Sequence, residues 1–368
     1  MNYALFASES VASGHPDKIC DQVSDAIVDA VLAKDPHGRI GVECLATHEH
    51  FTIAGEVTST AIVDYETIAR DTIRFLGYTD EAYNFWDNSP VHLLIHEQSA
   101  DISRGVNTGG AGDQGMMFGY ACNETKAYMP LPIYLAHSLV YGMDQVRITR
   151  RLPFLKPDGK SEVVVCYENG MPKSIERIIL AVPHDDQITP DELKLLLYDM
   201  VVMPVLIRNG YDIDYQSVIV NGTGAWNTGG PSSDSGLTGR KIIVDTYGGM
   251  GRHGGGCFSG KDPTKVDRSG AYAARYIAKN IVASGMAERC EVAIAYVIGH
   301  TCPVSRSLDT FGTAQVNKKQ IEEFAWDLLD LSVNGIISSL DLRRPIYART
   351  AAYGHFGRAC FPWEKVVV

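Results

Sequence analysis

The fold is decided by a unit near the N-terminus, which reads PDKICDQVSDAIVDAVLAK at 16–34, IGVECLAT at 40–47 and FTIAGEVT at 51–58. The first segment opens with a proline, spaces its apolar residues along one helical face and stops at Asp35-Pro36, so it predicts a helix. The next two segments alternate apolar and polar residues around a short turn, which predicts paired antiparallel strands. A helix followed by a hairpin indicates a mixed α+β unit.

A similar order of elements returns twice along the chain. The first unit is completed by a predicted helix over 61–76, ended by Gly77, and a strand over 91–95. The second unit consists of a helix over 133–146, strands over 162–167 and 175–182, a helix from Pro190 and a strand over 217–220. The third consists of a helix over 271–282, strands over 291–298 and 304–308, and a helix over 318–329. We therefore predict an α+β fold of three structurally similar repeats, with a chance succession of alternating elements as the alternative.

The repeats are predicted to occupy 1–98 at the N-terminus, 116–230 in the centre and 231–368 at the C-terminus. The interval 99–115 is predicted to be a lid loop over an active site, because it is rich in glycine and small polar residues and is long for a loop within a compact domain. A plain surface loop is the alternative.

The composition is that of a folded globular protein, since 45% of the residues are apolar and 21% are charged. The net charge of −11 would repel nucleic acid and anionic membranes, so neither is expected as a partner. The start of the chain lacks the pattern of a signal peptide, and its apolar stretches fall short of the roughly 20 residues that a membrane span needs. The eight cysteines form no CxxC pair, so free thiols in a reducing cytoplasm are expected.

A basic segment at 240–268 interrupts this acidic chain. It holds six Lys or Arg residues against three Asp residues, a charge of +3 (6 − 3), and contains a loop over 248–260 with seven glycines. A strand predicted over 241–246, followed by glycines and lysines, is suited to cradling phosphate groups. A solvated basic loop is the alternative.

Two short glycine patterns in this segment are weak signals. Residues 249–254 match GxGxxG, but more glycines follow where a dinucleotide-binding fold needs a helix. Residues 255–261 match GxxxxGK, but Asp262 stands where a magnesium-binding Ser or Thr is required. A nicotinamide-dependent oxidoreductase is therefore only a rival function.

The start of the first helix, GHPDK at 14–18, is a second candidate phosphate site. The unpaired N–H groups and the dipole of a helix N-terminus favour a phosphate or a metal-bound phosphate, and His15 and Asp17 would face it. Simple capping of the helix is the alternative.

Glu43 and Glu56 lie in the middle of predicted strands. Burial of an unpaired carboxylate costs on the order of several kcal/mol, so each is expected to pair, to bind a cation or to take a proton. Alternation does not fix whether the two share a face, and exposure to solvent is the alternative for each.

Five motifs occur in order along the chain: GHPDK at 14–18, GDQG at 112–115, GLTGRKIIVDTYGG at 236–249, GGGCFSGKDP at 254–263 and YGHFGR at 353–358. Together they resemble the S-adenosylmethionine synthetase (methionine adenosyltransferase) family over essentially the whole chain. The resemblance implies three interleaved α+β repeats and the synthesis of S-adenosylmethionine from ATP and methionine. The methionine sulfur would attack C5′ of ATP, and the released triphosphate would then be hydrolysed to diphosphate and phosphate.

The resemblance also implies a set of site residues. The catalytic residues would be His15, at the departing O5′, and the phosphate-binding cations Lys160, Arg240, Lys241 and Lys261. The nucleotide would further contact Asp158, Trp226, Asp234 and Cys257. Methionine would be bound by Glu56, Gln98, Asp113, Asp234 and Lys265. Two Mg²⁺ ions per site would be bound by Asp17 and Asp267, and one K⁺ by Glu43.

In this family two subunits share their active sites, so the resemblance implies a homodimer, with a tetramer of two such dimers left open. The chain departs from the family at three places: Trp226 stands near a usual phenylalanine, Cys257 replaces a frequent alanine, and the lid over 105–110 is short. A subunit that binds ATP without turnover is the second rival function, and the joint presence of the cations with His15 and Asp17 counts against it.

Overall fold

The structure, a computed structural model, describes residues 5–97 and 109–367. Its helices are α1 (Pro16–Leu32), α2 (Tyr65–Leu76), α3 (Leu131–Ile148), α4 (Pro190–Leu197), α5 (Met203–Arg208), α6 (Ile242–Asp245), α7 (Val266–Ala283), α8 (Lys318–Asp327) and α9 (Val333–Ser339). Its strands are β1 (Leu5–Val11), β2 (Arg39–Thr47), β3 (His50–Thr58), β4 (Val91–His96), β5 (Gly115–Cys122), β6 (Lys160–Glu168), β7 (Met171–Ala181), β8 (Val218–Val220), β9 (Gly236–Leu237), β10 (Arg289–Tyr296) and β11 (Ser305–Asp309).

Within the described residues the strands form three sheets, each packed against one long helix. The sheet with strand order β4-β3-β2-β9 is covered by α1, the sheet β1-β6-β7-β8 by α3, and the sheet β11-β10-β5 by α7. The apolar faces of these helices and sheets form the core, in which the isoleucine, valine and leucine side chains of α1 are almost fully buried. The predicted repetition of a mixed sheet with a helix is therefore present.

Each sheet borrows one strand from a distant part of the chain. β1 pairs with β6, β5 pairs with β10, and β9 pairs with β2, where Leu45 lies opposite Leu237. The three units are thus interleaved, and β9 brings the start of the basic segment to the edge of the first sheet.

Most of the predicted elements are confirmed within a few residues. The hairpin of β2 and β3, the helices α1, α3 and α7, and the capping box of Thr189 with Glu192 are all present. The helix predicted from residue 61 begins only at Tyr65, because Asp64 caps it by accepting a hydrogen bond from the N–H of Thr67. β1 and β5, which pair outside their own units, were not predicted from the sequence.

The strand predicted over 241–246 is wrong. Ile242, Ile243 and Val244 favour a strand by their β-branched side chains, but this stretch forms the single helical turn α6. The turn is closed by a hydrogen bond from the N–H of Asp245 to the carbonyl of Lys241, and it packs on β1. Tertiary packing therefore overrides the local preference.

A buried ion pair joins the first and last units. Arg268 of α7 donates to both carboxylate oxygens of Asp25 on α1, at 2.7 and 2.8 Å, and both side chains are fully buried. Loss of one partner of such a pair costs about 3–5 kcal/mol. The middle of α1 and the first turn of α7 are consequently held together.

Replacement of Gly119 by alanine is expected to destabilise the fold. A Cβ atom at Gly119 on β5 would lie 2.0 Å from the carbonyl carbon of Ala274 in α7, so strand and helix would have to move apart. Such overpacking costs about 1–3 kcal/mol, which should lower the midpoint of urea unfolding at a fixed protein concentration. The control is Gly222→Ala, whose Cβ would meet Ile219 Cγ2 at 3.4 Å. Equal midpoints for the two variants would contradict the close approach of β5 to α7.

Candidate functional site

His15 caps the N-terminus of α1 and is almost fully buried. Its Nδ1 accepts a hydrogen bond from the backbone N–H of Asp17 at 3.2 Å. Burial, aided by the charge of Lys241, lowers the pKa of His15 to about 3, so the imidazole is neutral near pH 7. Because Nδ1 is an acceptor, the proton lies on Nε2, from which it can be donated to an oxygen of a ligand.

Asp17 is the point at which the helix meets the basic segment. Its carboxylate accepts hydrogen bonds from Lys241 Nζ at 2.5 Å and from the N–H of Leu237 at 2.9 Å, and it lies 3.5 Å from Arg240 Nε. Burial favours the neutral acid, but these two hydrogen bonds outweigh it and lower the pKa of Asp17. The side chain is therefore an ionised carboxylate, the kind of ligand that Mg²⁺ prefers.

Asp158 lies just before β6, and Lys160 is the first residue of that strand. Asp158 is buried and accepts hydrogen bonds from the N–H groups of Gly159 at 2.7 Å and Gly230 at 2.8 Å. Burial raises its pKa to about 6 against the effect of these hydrogen bonds. Lys160 is exposed and close enough to His15 for its charge to lower the pKa of the imidazole.

These residues form one of two groups, which we call the α1 group: His15, Asp17, Asp158, Lys160, Arg240 and Lys241. Asp234 is exposed near Asp158, and their charges interact. Trp226 is half-buried in the loop that follows β8, where its Nε1 donates to the carbonyl of Thr228. Asp234 thus lies at the margin of this group, and Trp226 lies in the loop that precedes it.

The second group, the α7 group, consists of Cys257, Lys261 and Asp267. Lys261 Nζ and Asp267 Oδ2 are 2.6 Å apart, and both side chains are largely buried. Gly256 lies directly against this pair, because a Cβ atom there would be 2.3 Å from Cγ of Asp267. Burial raises the pKa of the Cys257 thiol, so the thiol stays protonated and is not an activated nucleophile.

Both groups adjoin the outer edge of β2. The N–H of Val42 donates to the carbonyl of Gly260, and further along the strand the N–H of Thr238 donates to the carbonyl of Cys44. Positions 42 and 44 are separated by roughly 7 Å along a strand. One strand edge therefore holds the segments that carry both sets of cations.

Two of the predicted methionine residues, Lys265 and Asp113, have partners that belong to neither group. Lys265 Nζ is 2.5 Å from Oδ2 of Asp262, which is fully buried and also accepts from the N–H of Ile40. Asp113 is exposed and accepts a hydrogen bond from the N–H of Gln114. Gln98 and most of the predicted lid fall outside the described residues.

The expectation that Glu43 is buried is wrong for the single chain. The buried side of β2 carries Val42 and Cys44, so the intervening Glu43 points to the exposed side. Glu56 is half-exposed and lies 3.8 Å from His96 on β4. Gly41 pairs with Glu56 and Glu43 with Ala54, so the two glutamates share one face of the sheet, which alternation alone left open.

A row of aspartates on α1 belongs to the site but was not predicted from the sequence. Asp21 and Asp25 follow Asp17 at intervals of four residues and accept hydrogen bonds from the N–H groups of Gly239 and Gly260. Carboxylates at this spacing within an apolar helical pattern were the available signal, because charges on the buried face of a helix must find partners. These side chains orient the loops that carry the cations.

Within residues 5–97 and 109–367, no three or more His, Cys, Asp and Glu side chains come together as a ready-made metal site. In that same part of the chain, no helix is long and apolar enough to cross a membrane.

Three family models match successive parts of the chain. The S-adenosylmethionine synthetase N-terminal domain matches residues 3–100, the central domain 108–226 and the C-terminal domain 228–365. The match of three consecutive domains confirms the predicted fold of three repeats.

Three similar proteins are each called S-adenosylmethionine synthase. The protein of Desulfosudis oleivorans is 51% identical over 372 residues, which cover 98% of this chain and 95% of the relative. The protein of Desulforudis audaxviator is 49% identical, with 98% and 96% covered. The protein of Treponema denticola is 50% identical, with 99% and 96% covered.

The imidazole of His15 is expected to stay neutral between about pH 5 and pH 8, with its proton on Nε2, because burial holds its pKa near 3. The measurement is the ¹⁵N NMR spectrum of histidine-labelled protein across this range, and the signal is assigned by its loss in His15→Asn. A His15 signal that titrates within this range, or one typical of protonated Nδ1, would contradict the arrangement at the start of α1.

Proposed function

Because the chain belongs to the S-adenosylmethionine synthetase family, we propose that it joins ATP and L-methionine by attack of the methionine sulfur on C5′ of ATP. The triphosphate released in this step is then hydrolysed at the same site to diphosphate and phosphate. The chain is thus a methionine adenosyltransferase, a transferase of S-adenosylmethionine biosynthesis.

The observation that carries this proposal is a neutral imidazole beside a cluster of cations. His15 offers an Nε2–H group at a helix N-terminus, and Lys241 and Arg240 lie next to its neighbour Asp17. Negative charge develops on O5′ and the triphosphate as the bond to C5′ breaks, so donors and cations aimed at these oxygens stabilise the transition state. His15 is proposed to act at O5′, and Lys160, Arg240, Lys241 and Lys261 at the phosphates.

The reaction needs no protein nucleophile, because the methionine sulfur itself attacks. The protein must hold sulfur and C5′ in line, and positioning of this kind can supply about 7–11 kcal/mol of the barrier. The remaining residues are proposed to hold the two substrates. The nucleotide would contact Asp158, Trp226, Asp234 and Cys257, and methionine would contact Glu56, Gln98, Asp113, Asp234 and Lys265.

Mg²⁺ and K⁺ are the proposed ions, two of the first and one of the second per site. Asp17 and Asp267 fit Mg²⁺, because carboxylate oxygens are ligands that Mg²⁺ prefers. Each of the two carboxylates already faces a cation, the ammonium group of Lys241 or Lys261. Mg²⁺ is usually bound by one or two carboxylates together with substrate phosphates, so single carboxylates in each group suffice. The bound Mg²⁺ would neutralise charge on the triphosphate, and Glu43 is proposed to bind K⁺.

Two subunits are proposed to share their sites through the exposed face of the first sheet. Leu45 and Leu237, which pair across β2 and β9, and Leu94 on β4 are exposed on the same face as Glu43 and Glu56. An apolar patch flanked by such carboxylates is typical of an interface between subunits. Burial of this face in a homodimer would give Glu43 the buried position that its proposed role needs, and a tetramer of two dimers is the alternative.

Purified protein given Mg²⁺, K⁺, ATP and methionine is expected to form S-adenosylmethionine, identified by mass spectrometry. In His15→Asn this first step should slow by about 10²–10³, while hydrolysis of added triphosphate should slow much less, because only the first step breaks the bond to O5′. Equal losses in both steps would refute the role at O5′. ATP binding without product would favour the rival function of a sensing subunit.

Mixed subunits are expected to regain activity if the α1 group of one chain completes the α7 group of the other. Asp17→Asn and Lys261→Ala, each inactive alone, would be co-expressed with two different tags. Random pairing makes half of the dimers mixed, and each mixed dimer has one intact site out of two. About a quarter of wild-type activity should therefore return. Purified mixed dimers with no activity would show that each chain uses its own two groups.

A further inference from the structure

Lys18 is the one residue of the GHPDK motif whose charge the proposed function leaves unused. It follows Asp17 on α1, but its side chain is fully buried. Its Nζ forms ion pairs with Asp21 at 2.9 Å and with Asp245, so it faces away from the phosphates that Lys241 and Arg240 are proposed to bind. Lys18 therefore acts on the protein and not on a ligand.

The two carboxylates that hold Lys18 lie at opposite ends of one short segment. Oδ1 of Asp21 accepts a hydrogen bond from the N–H of Gly239 at 2.8 Å, immediately before the two cations of the basic segment. The helical turn α6 directly follows these two cations, and Asp245 is its last residue. A single ammonium group is thus linked to both ends of the segment 239–245.

The far end of this segment is anchored a second time, by the closing motif YGHFGR. The N–H of His355 donates to the carbonyl of Asp245 at 2.9 Å, and His355 Nδ1 lies 2.8 Å from the hydroxyl of Tyr272 on α7. His355 is fully buried. The segment is therefore fixed to α1 on one side and to the last unit on the other.

We propose that Lys18 is a positioning residue that, together with Asp21 and Asp245, clamps the segment 239–245 against α1 and so sets Arg240 and Lys241 at the triphosphate. The proposal rests on the proposed function, because it concerns the same triphosphate. It assigns to Lys18, Asp21 and Asp245 a role in binding ATP although none of them touches it.

Charge explains why a lysine serves here. Burial alone would lower the pKa of Lys18, but the two carboxylates raise it, so the ammonium group is charged. Ion pairs gain strength and direction in a medium of low dielectric constant, whereas an apolar side chain would fill the space without fixing either carboxylate. Lys18 has two carboxylate partners, so loss of one carboxylate charge still leaves it paired with the other.

Asp21→Asn is the first test. Gly239 and Lys18 donate to different oxygens of Asp21, and an amide keeps an acceptor at only one of these two positions. One end of the clamp is therefore released, while Lys18 keeps its ion pair with Asp245. We expect the KM for ATP and the Kd for triphosphate, measured by calorimetry, to rise about tenfold, the loss typical of one hydrogen bond to a charged group. The KM for methionine should change by less than about twofold, because the clamp does not reach the methionine residues.

Lys18→Met and Lys279→Met form a matched pair for the second test. Lys279 is also a buried lysine, 2.8 Å from Glu364, but it lies in the last unit away from both groups. Both variants lose a buried ion pair and should lose comparable stability. Only Lys18→Met should bind triphosphate more weakly, when both are measured well below their unfolding temperatures.

The proposal would be overturned if Asp21→Asn bound triphosphate with the same Kd as the wild-type protein. It would also be overturned if Lys18→Met and Lys279→Met weakened triphosphate binding equally. Failure of the proposed function is distinguishable from both outcomes. Wild-type protein that binds triphosphate but forms no S-adenosylmethionine would refute the reaction, while the binding comparison would still decide on the clamp.

Discussion

The carboxylates along α1 are the constraint on which the rest of the structure depends. Asp17, Asp21, Asp25 and Asp29 follow one another at intervals of four residues and therefore lie on one face of the helix. Each accepts a backbone N–H from the last unit, namely those of Leu237, Gly239, Gly260, and Tyr347 with Ala348. Loops without regular structure thereby take their positions from a rigid helix.

Cations from α1 and from the last unit compensate the charges of the first three carboxylates in this row. Lys241 pairs with Asp17, Lys18 with Asp21 and Arg268 with Asp25, so like charges on successive turns are each compensated. Asp29, at the far end, is held by backbone N–H groups, and burial raises its pKa to about 6. Compensation by cations is therefore concentrated at the end of α1 where the candidate site lies.

The sequence allowed the local elements and the motif residues to be predicted, but not the contacts between units. Helix α1 and the hairpin of β2 and β3 follow from periodicity, whereas β1 and β5 pair with strands far along the chain and have no local signal. The strand predicted over 241–246 is replaced by the helical turn 242–245, which packs on β1 and ends at Asp245, the partner of Lys18. Glu43 and Glu56 share a face because of the register of the hairpin, which composition does not encode. The row of aspartates on α1 was readable from its spacing.

The pairing within the two groups explains how a site rich in cations can exist before any anion binds. Unpaired, Lys241 and Lys261 would be costly to hold partly buried, but each is neutralised by the carboxylate that we propose binds Mg²⁺, Asp17 or Asp267. With Mg²⁺ and the triphosphate bound, Asp17 and Asp267 would hold the metal ions, and Lys241 and Lys261 would hold phosphate oxygens. Every one of these charges would then still have a partner, so the cations would need little reorganisation, which is the condition under which preorganised charge lowers a barrier.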